Sequence, residues 1–257
     1  MTFISSILRL INSISGTISC FFLSVTFIVY CSVPELNNLH GKIIISNVAT
    51  IFLSTAYILI VYNFSHLFSY LVCKIFGFVG YFFTICMFSW MTIMSFDLCW
   101  TFIRAKMPRK SSTNLKYMIY SSVAWGWGFV LTMTIMLADT LMEETSYLPM
   151  PEVGVSKCFL GDTAQGVYFH LPVLLLMLVN GIFFVITTST LYRYHRGSRI
   201  KSISVIIFII FYVFPHMSCH HLTSQYQFKV DLQKLSQPVV LNGSRQNQLY
   251  SLLLLFA

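Results

Sequence analysis

Apolar residues run through this chain in long blocks, broken by short polar stretches. A helix crossing about 30 Å of hydrocarbon needs about 20 mostly apolar residues, at 1.5 Å per residue. Five blocks reach that length: roughly 8–33, 43–62, 75–102, 116–138 and 166–192. They are apolar on every face, with none of the period-two alternation of a membrane β-strand, so a β-barrel is excluded. Helices satisfy their own backbone polar groups, and a bundle of them is the economical reading. A sixth run, Ile203 to Phe214, is only about 12 residues long and falls short of a span by itself. It reaches spanning length only through Pro215 to Leu222, which carries three histidines. The pattern predicts an all-α transmembrane bundle over 1–214, with five clear spans and an incomplete sixth. Residues 215–257 form a divergent polar tail whose apolar end, Leu249 to Ala257, is too short to span.

Composition agrees. Hydrophobic residues make up 56% of the 257, charged residues only 9%, and Phe alone contributes 24. A soluble domain carries roughly 25% charged residues, so soluble enzymes, disordered chains and nucleic-acid-binding domains are excluded. The net charge of +8 has a different meaning in a membrane protein, where Lys and Arg mark the cytoplasmic loops. Arg104, Lys106, Arg109, Lys110 and Lys116 fall between the third and fourth blocks. Arg193, Arg196, Arg199 and Lys201 follow the fifth. Asp139, Glu143, Glu144, Glu152 and Asp162 occupy the stretch between the fourth and fifth, with Lys157 opposing. The expected topology puts 103–115, 193–202 and the Pro34–Lys42 turn inside, and 139–165 and the N-terminus outside. Arg9 lies within the first block and no basic segment precedes it, so that block is expected to be a span rather than a signal peptide.

Of seven cysteines, Cys20, Cys31, Cys86 and Cys99 fall inside spans, where they act as small apolar residues. Cys73 and Cys158 face the oxidising side and are expected to pair; the alternative is two free thiols. The sequon at Asn63 abuts the membrane and is expected to stay unmodified, while that at Asn242 depends on the side the tail occupies. No P-loop, HExxH or GxSxG is present, and no enzyme activity or cofactor is implied. His216 and His220 have the i, i+4 spacing of a helical metal pair, but a zinc site needs further ligands in a stable frame, so a poorly packed juxtamembrane segment is expected rather than a metal site.

Asp97 is the one acid well inside a span. It is either a polar switch near the inner face or an interfacial acid paired with Arg104 or Lys106. Pro172 frees a backbone carbonyl and can kink the fifth span, and Asn180 can hydrogen-bond to a neighbouring helix. Asn47 in the second span has the same status as Asn180, and plain packing is the alternative for all three. Trp100 fits an interfacial anchor, and the deeper Trp90 and Trp125 need an internal partner or a helix contact. Gly126 and Gly128 permit close helix approach.

The order of these features resembles a known family. Leu39-His40-Gly41-Lys42 enters the second span, and Cys73 heads the third, followed by Gly77-Phe78 and Tyr81-Phe82. Phe88-Ser89-Trp90-Met91 and Ser95-Phe96-Asp97-Leu98-Cys99-Trp100-Thr101-Phe102 come next, then Tyr120, Ala124-Trp125-Gly126, Pro151-Glu152-Val153-Gly154, Cys158, Tyr168-Phe169, Pro172 and Asn180. Together they resemble the insect Methuselah-like receptors, within the secretin-like G-protein-coupled receptors, over roughly 34–200. The resemblance implies a seven-helix receptor coupling an unknown extracellular ligand to a heterotrimeric G protein at the plasma membrane. It also implies a Cys73–Cys158 bridge. It places the G-protein contacts on Arg104, Lys106, Arg109 and Lys110 and on Arg193, Arg196, Arg199 and Lys201, residues that could equally bind membrane lipids. Departures from the family pattern are Phe159 in place of Trp after the cysteine, Gly128 in place of Pro, and the expected lack of an ectodomain and a seventh helix. On that account a non-signalling remnant, or a modulator of a full-length receptor, is the alternative to a receptor. A channel or transporter would show inverted repeats or several intramembrane charges, against the single Asp97 here.

Overall fold

The computed structural model describes residues 2–36, 38–104, 113–141, 149–155 and 157–194, all within one compact unit. The helices are α1 (Thr2–Ser32), α2 (Leu39–Phe64), α3 (Tyr70–Ile103), α4 (Thr113–Leu141), a short α5 (Asp162–Gln165) and α6 (Leu171–Tyr194). A π-helical turn, Gly166–His170, joins α5 to α6. Among the described residues, five helical stretches, Leu10–Ser32, Leu39–Leu67, Tyr70–Ile103, Asn114–Leu141 and Asp162–Thr190, are long and apolar enough to cross a membrane. No strand occurs among the described residues.

The helices run past the apolar blocks because their caps lie in polar sequence. Asn38 caps α2, its side-chain oxygen accepting from the Gly41 N–H at 2.8 Å. α2 thus starts at Leu39 rather than near Ile43, and α3 starts at Tyr70 rather than near Ile75. Apolarity marks the hydrocarbon-crossing part of a helix, whereas the cap marks its end.

α3 is the central helix and packs against α2, α4 and α6, while α1 packs on α2. Accordingly the most enclosed side chains lie on α3: Tyr81, Ile85, Cys86, Phe88 and Trp90 are at most 1% exposed. Large apolar residues such as Phe21, Leu71, Met118 and Leu175 point outward, as expected where lipid is the solvent. The interior instead holds small and hydroxyl residues. Thr84, Ser89 and Thr132 each donate to the carbonyl four residues back, and the Ser54 and Thr84 hydroxyls meet at 3.0 Å between α2 and α3.

Close approach depends on particular glycines. A Cβ on Gly80 would lie 2.1 Å from the Tyr57 ring, so only glycine lets that ring lie across α3. Gly128 similarly receives the Cys86 sulfur, with a Cβ there only 2.3 Å away. Among the described residues nothing lies within 4 Å of a Cβ placed on Gly126, so they do not give it the packing role expected of it. It is two residues from Gly128, which on a helix puts it on another face.

Candidate functional site

The polar contacts collect at the two ends of α3. At one end, in the first turn, Cys73 is disulfide-bonded to Cys158, 85 residues on. The loop carrying Cys158 lies over the helix ends as a cap. Pro151, Val153, Gly154, Cys158 and Leu160 are buried in it. Lys74 Nζ lies 2.7 Å from Asp139 Oδ2, and Asp139 Oδ1 accepts the Val153 N–H at 3.1 Å, so one carboxylate ties α3, α4 and the cap together. Gly154 adopts φ +83°, and a Cβ there would be 2.9 Å from the Lys74 backbone, so glycine is required on both counts. The Tyr57 hydroxyl donates to the Cys158 carbonyl at 2.5 Å. Lys157 pairs with Asp162 and reaches Gln165 at 3.4 Å. Tyr81, Phe159 and Phe169 pack as an aromatic layer beneath the cap, with centroids 5.3 to 6.3 Å apart.

Pro172 acts on this layer. Lacking an N–H, it leaves the Tyr168 carbonyl without its helical donor. The Tyr81 hydroxyl donates to that carbonyl at 2.8 Å. One residue earlier, the Leu171 N–H bonds to the Gly166 carbonyl, five residues back, which is the π-turn closure.

At the other end of α3, Asp97 is only 4% exposed. Its Oδ2 lies 3.6 Å from His40 Nδ1, and its Oδ1 lies 3.5 Å from the Tyr120 hydroxyl, so α2, α3 and α4 converge on one carboxyl. Of the two cations expected as interfacial partners of Asp97, Arg104 turns elsewhere and Lys106 lies outside the described residues. Arg104 is exposed, and its guanidinium lies 4.1 Å from the centre of the Trp100 ring, one turn back. His40 was missed as a partner. It and Asp97 stand at matching distances from the α2–α3 turn, as Tyr57 and Gly80 do, and this antiparallel register is the signal that would have found it.

Between the two ends, Asn180 Nδ2 donates to Thr92 Oγ1 at 3.1 Å, joining α6 to α3. Its Oδ1, the Asn47 Oδ1 and the Trp90 indole N–H are buried without a hydrogen-bond partner among the described residues. Trp90 makes its helix contact through Tyr117 and Trp125 of α4. Asn63 is held by packing, its Nδ2 on the Leu59 carbonyl and its Oδ1 accepting from Ser13 of α1. Lys106, Arg109, Lys110, Arg196, Arg199, Lys201, His216, His220 and Asn242 lie outside the described residues, as does the side chain of Arg193. No group of three or more metal-binding side chains occurs among the described residues.

These helices, with a capping loop bonded to the central one, define a polytopic α-helical integral membrane protein. Residues 5–204 match the profile of the 7 transmembrane receptor (Secretin family), and the chain belongs to that family. It is 27% identical over 195 residues to the G-protein coupled receptor Mth2 of Drosophila yakuba, covering 75% of this chain and 36% of that protein. With the probable G-protein coupled receptor Mth-like 4 of Drosophila melanogaster it shares 31% over 198 residues, 75% of this chain and 37% of that protein. With the probable G-protein coupled receptor Mth-like 10 of the same fly it shares 27% over 194 residues, 74% of this chain and 33% of that protein. The chain thus spans about a third of the length of the curated relatives it matches.

Proposed function

We propose that this chain is the membrane-embedded part of a Methuselah-like receptor at the plasma membrane, passing an extracellular signal to a heterotrimeric G protein. The disulfide end faces outside, and the Asp97 end faces the cytoplasm. The observation that carries the reading is the layout of α3. One rigid helix bears a covalently tied cap at one end and a buried carboxyl shared by three helices at the other. A two-state receptor needs such an element, because a ligand at one end must bias contacts at the other. Breaking the contacts among His40, Asp97 and Tyr120 would free α2 and α4 to shift at the inner face. Pro172 and Asn180 supply the bend and the cross-helix contact along which α6 moves. The basic loops containing Arg104–Lys110 and Arg193–Lys201 supply the complementary charge for the G protein.

The test is proximity-based recruitment of G-protein subunits to the expressed chain in cells lacking related receptors. Recruitment should fall when Arg193, Arg196, Arg199 and Lys201 are neutralised together. It should change with Asp97→Asn at equal surface expression. Recruitment indistinguishable from an unrelated membrane protein, in every variant, contradicts the reading.

A further inference from the structure

A groove of about 270 Å³ lies along the outer surface of α4, lined by Tyr117, Met118, Ser121, Ser122 and Trp125. These residues, with Asn114, follow an i, i+3/i+4 stripe, so they form one continuous face. The groove has firm walls. Tyr117 stacks on the buried Trp90 and its hydroxyl lies 2.9 Å from that of Ser46, while Trp125 meets Trp90 edge-on. At the Asn114 end stands Lys42 of α2, its ammonium 3.1 Å from Asn114 Oδ1 and 5.9 Å from the Tyr117 ring centre. Among the described residues no carboxylate lies within 4 Å of Lys42. It sits in the first turn of α2, and Asn114 in the first turn of α4, so the cation stands at headgroup depth. The groove then descends into the apolar zone, where Met118 and Val123 face outward.

We propose that this groove is a binding site for one anionic glycerophospholipid. Its phosphate meets Lys42 and Asn114, and an acyl chain lies along Tyr117, Ser121, Ser122 and Trp125. Charge complementarity selects the occupant, because an ammonium with no carboxylate partner among the described residues, standing above an apolar channel, matches an acidic headgroup above a hydrocarbon tail. Both helices present their N-terminal, dipole-positive ends on that side, which adds to the attraction for phosphate. The site requires α2 and α4 to span the membrane; it does not require the chain to signal.

The full chain, purified in mild detergent, is mixed with equal amounts of dioleoylphosphatidylserine and dioleoylphosphatidylcholine, and native mass spectrometry counts the lipids retained. The wild type should retain one phosphatidylserine in preference. Lys42→Ala should lower its occupancy about fivefold, the effect of one basic residue on an anionic lipid. Lys42→Arg should keep it. Ser122→Trp, on the exposed face, should lower it by filling the groove with the charge intact. Arg104→Ala, which removes a cation held on the Trp100 ring, should lower it less than Lys42→Ala does. Circular dichroism confirms that each variant is folded. No preference for phosphatidylserine, an unchanged Lys42→Ala or Ser122→Trp, or an equal loss in Arg104→Ala overturns the proposal. Dimers in place of lipid adducts, lost in Ser122→Trp, would assign the groove to a second copy of the chain and overturn it equally.

Discussion

Tyr57 does two jobs with one side chain: its ring fills the space left by Gly80, and its hydroxyl holds the cap at the Cys158 carbonyl. The two are separable. Tyr57→Phe keeps the ring and should cost about 1 kcal/mol, the net worth of a buried hydrogen bond, read as a lower thermal midpoint of the detergent-solubilised protein. Gly80→Ala forces the ring aside and should cost more, about 1–3 kcal/mol. The double mutant Tyr57→Ala/Gly80→Ala should cost less than the sum of its two single changes, because the clash partner is gone; a strictly additive double mutant would contradict the packing account. At this scale the sequence was legible where a residue is rare in its setting. Asp97, the one acid deep in a span, is buried among polar side chains. Its partner was not legible, because His40 opens α2 and lies 57 positions away in the chain. Only the α2–α3 register brings the two together.

The fifth span shows what an element adds to its residues. Pro172 removes a donor, the turn before it widens to a π-turn, and Tyr81 of α3 takes the exposed carbonyl. Pro172→Ala restores the N–H, which then competes with Tyr81 for Tyr168. In the wild type, Tyr81→Phe removes that hydrogen bond at a cost of about 1 kcal/mol. In the Pro172→Ala background the same change should cost clearly less. Thermal midpoints of the four proteins give the coupling, and equal costs in both backgrounds would contradict the donor exchange. The five spans themselves were legible, since long runs apolar on every face have few alternatives in a membrane protein. The π-turn was not, because Gly166–His170 differs from an α-helix only in which carbonyl each N–H reaches. Helix ends were missed by several residues where a cap such as Asn38 sits in polar sequence, beyond the apolar run.

Across the whole molecule, the disulfide and the α3 core hold the two ends in a fixed relation. Cys73→Ala and Cys158→Ala should each reduce surface expression, and the double mutant should be little worse than either, because both remove one bond. Clearly additive losses would contradict a shared bridge. The architecture was legible from apolarity, whereas the alternation of acidic and basic stretches from one inter-span segment to the next gives only the expected orientation. The lipid-facing groove was not legible, because it arises from the meeting of Lys42 and α4 across two helices. The central claim is a bundle with its tied cap outside and its basic loops inside. Tag accessibility in intact and permeabilised cells tests it most directly. A tag beside Glu144 should be labelled in intact cells, and tags within 103–115 and 193–202 only after permeabilisation. Labelling of the basic loops in intact cells, with the Glu144 tag protected, would invert the topology and contradict the receptor reading.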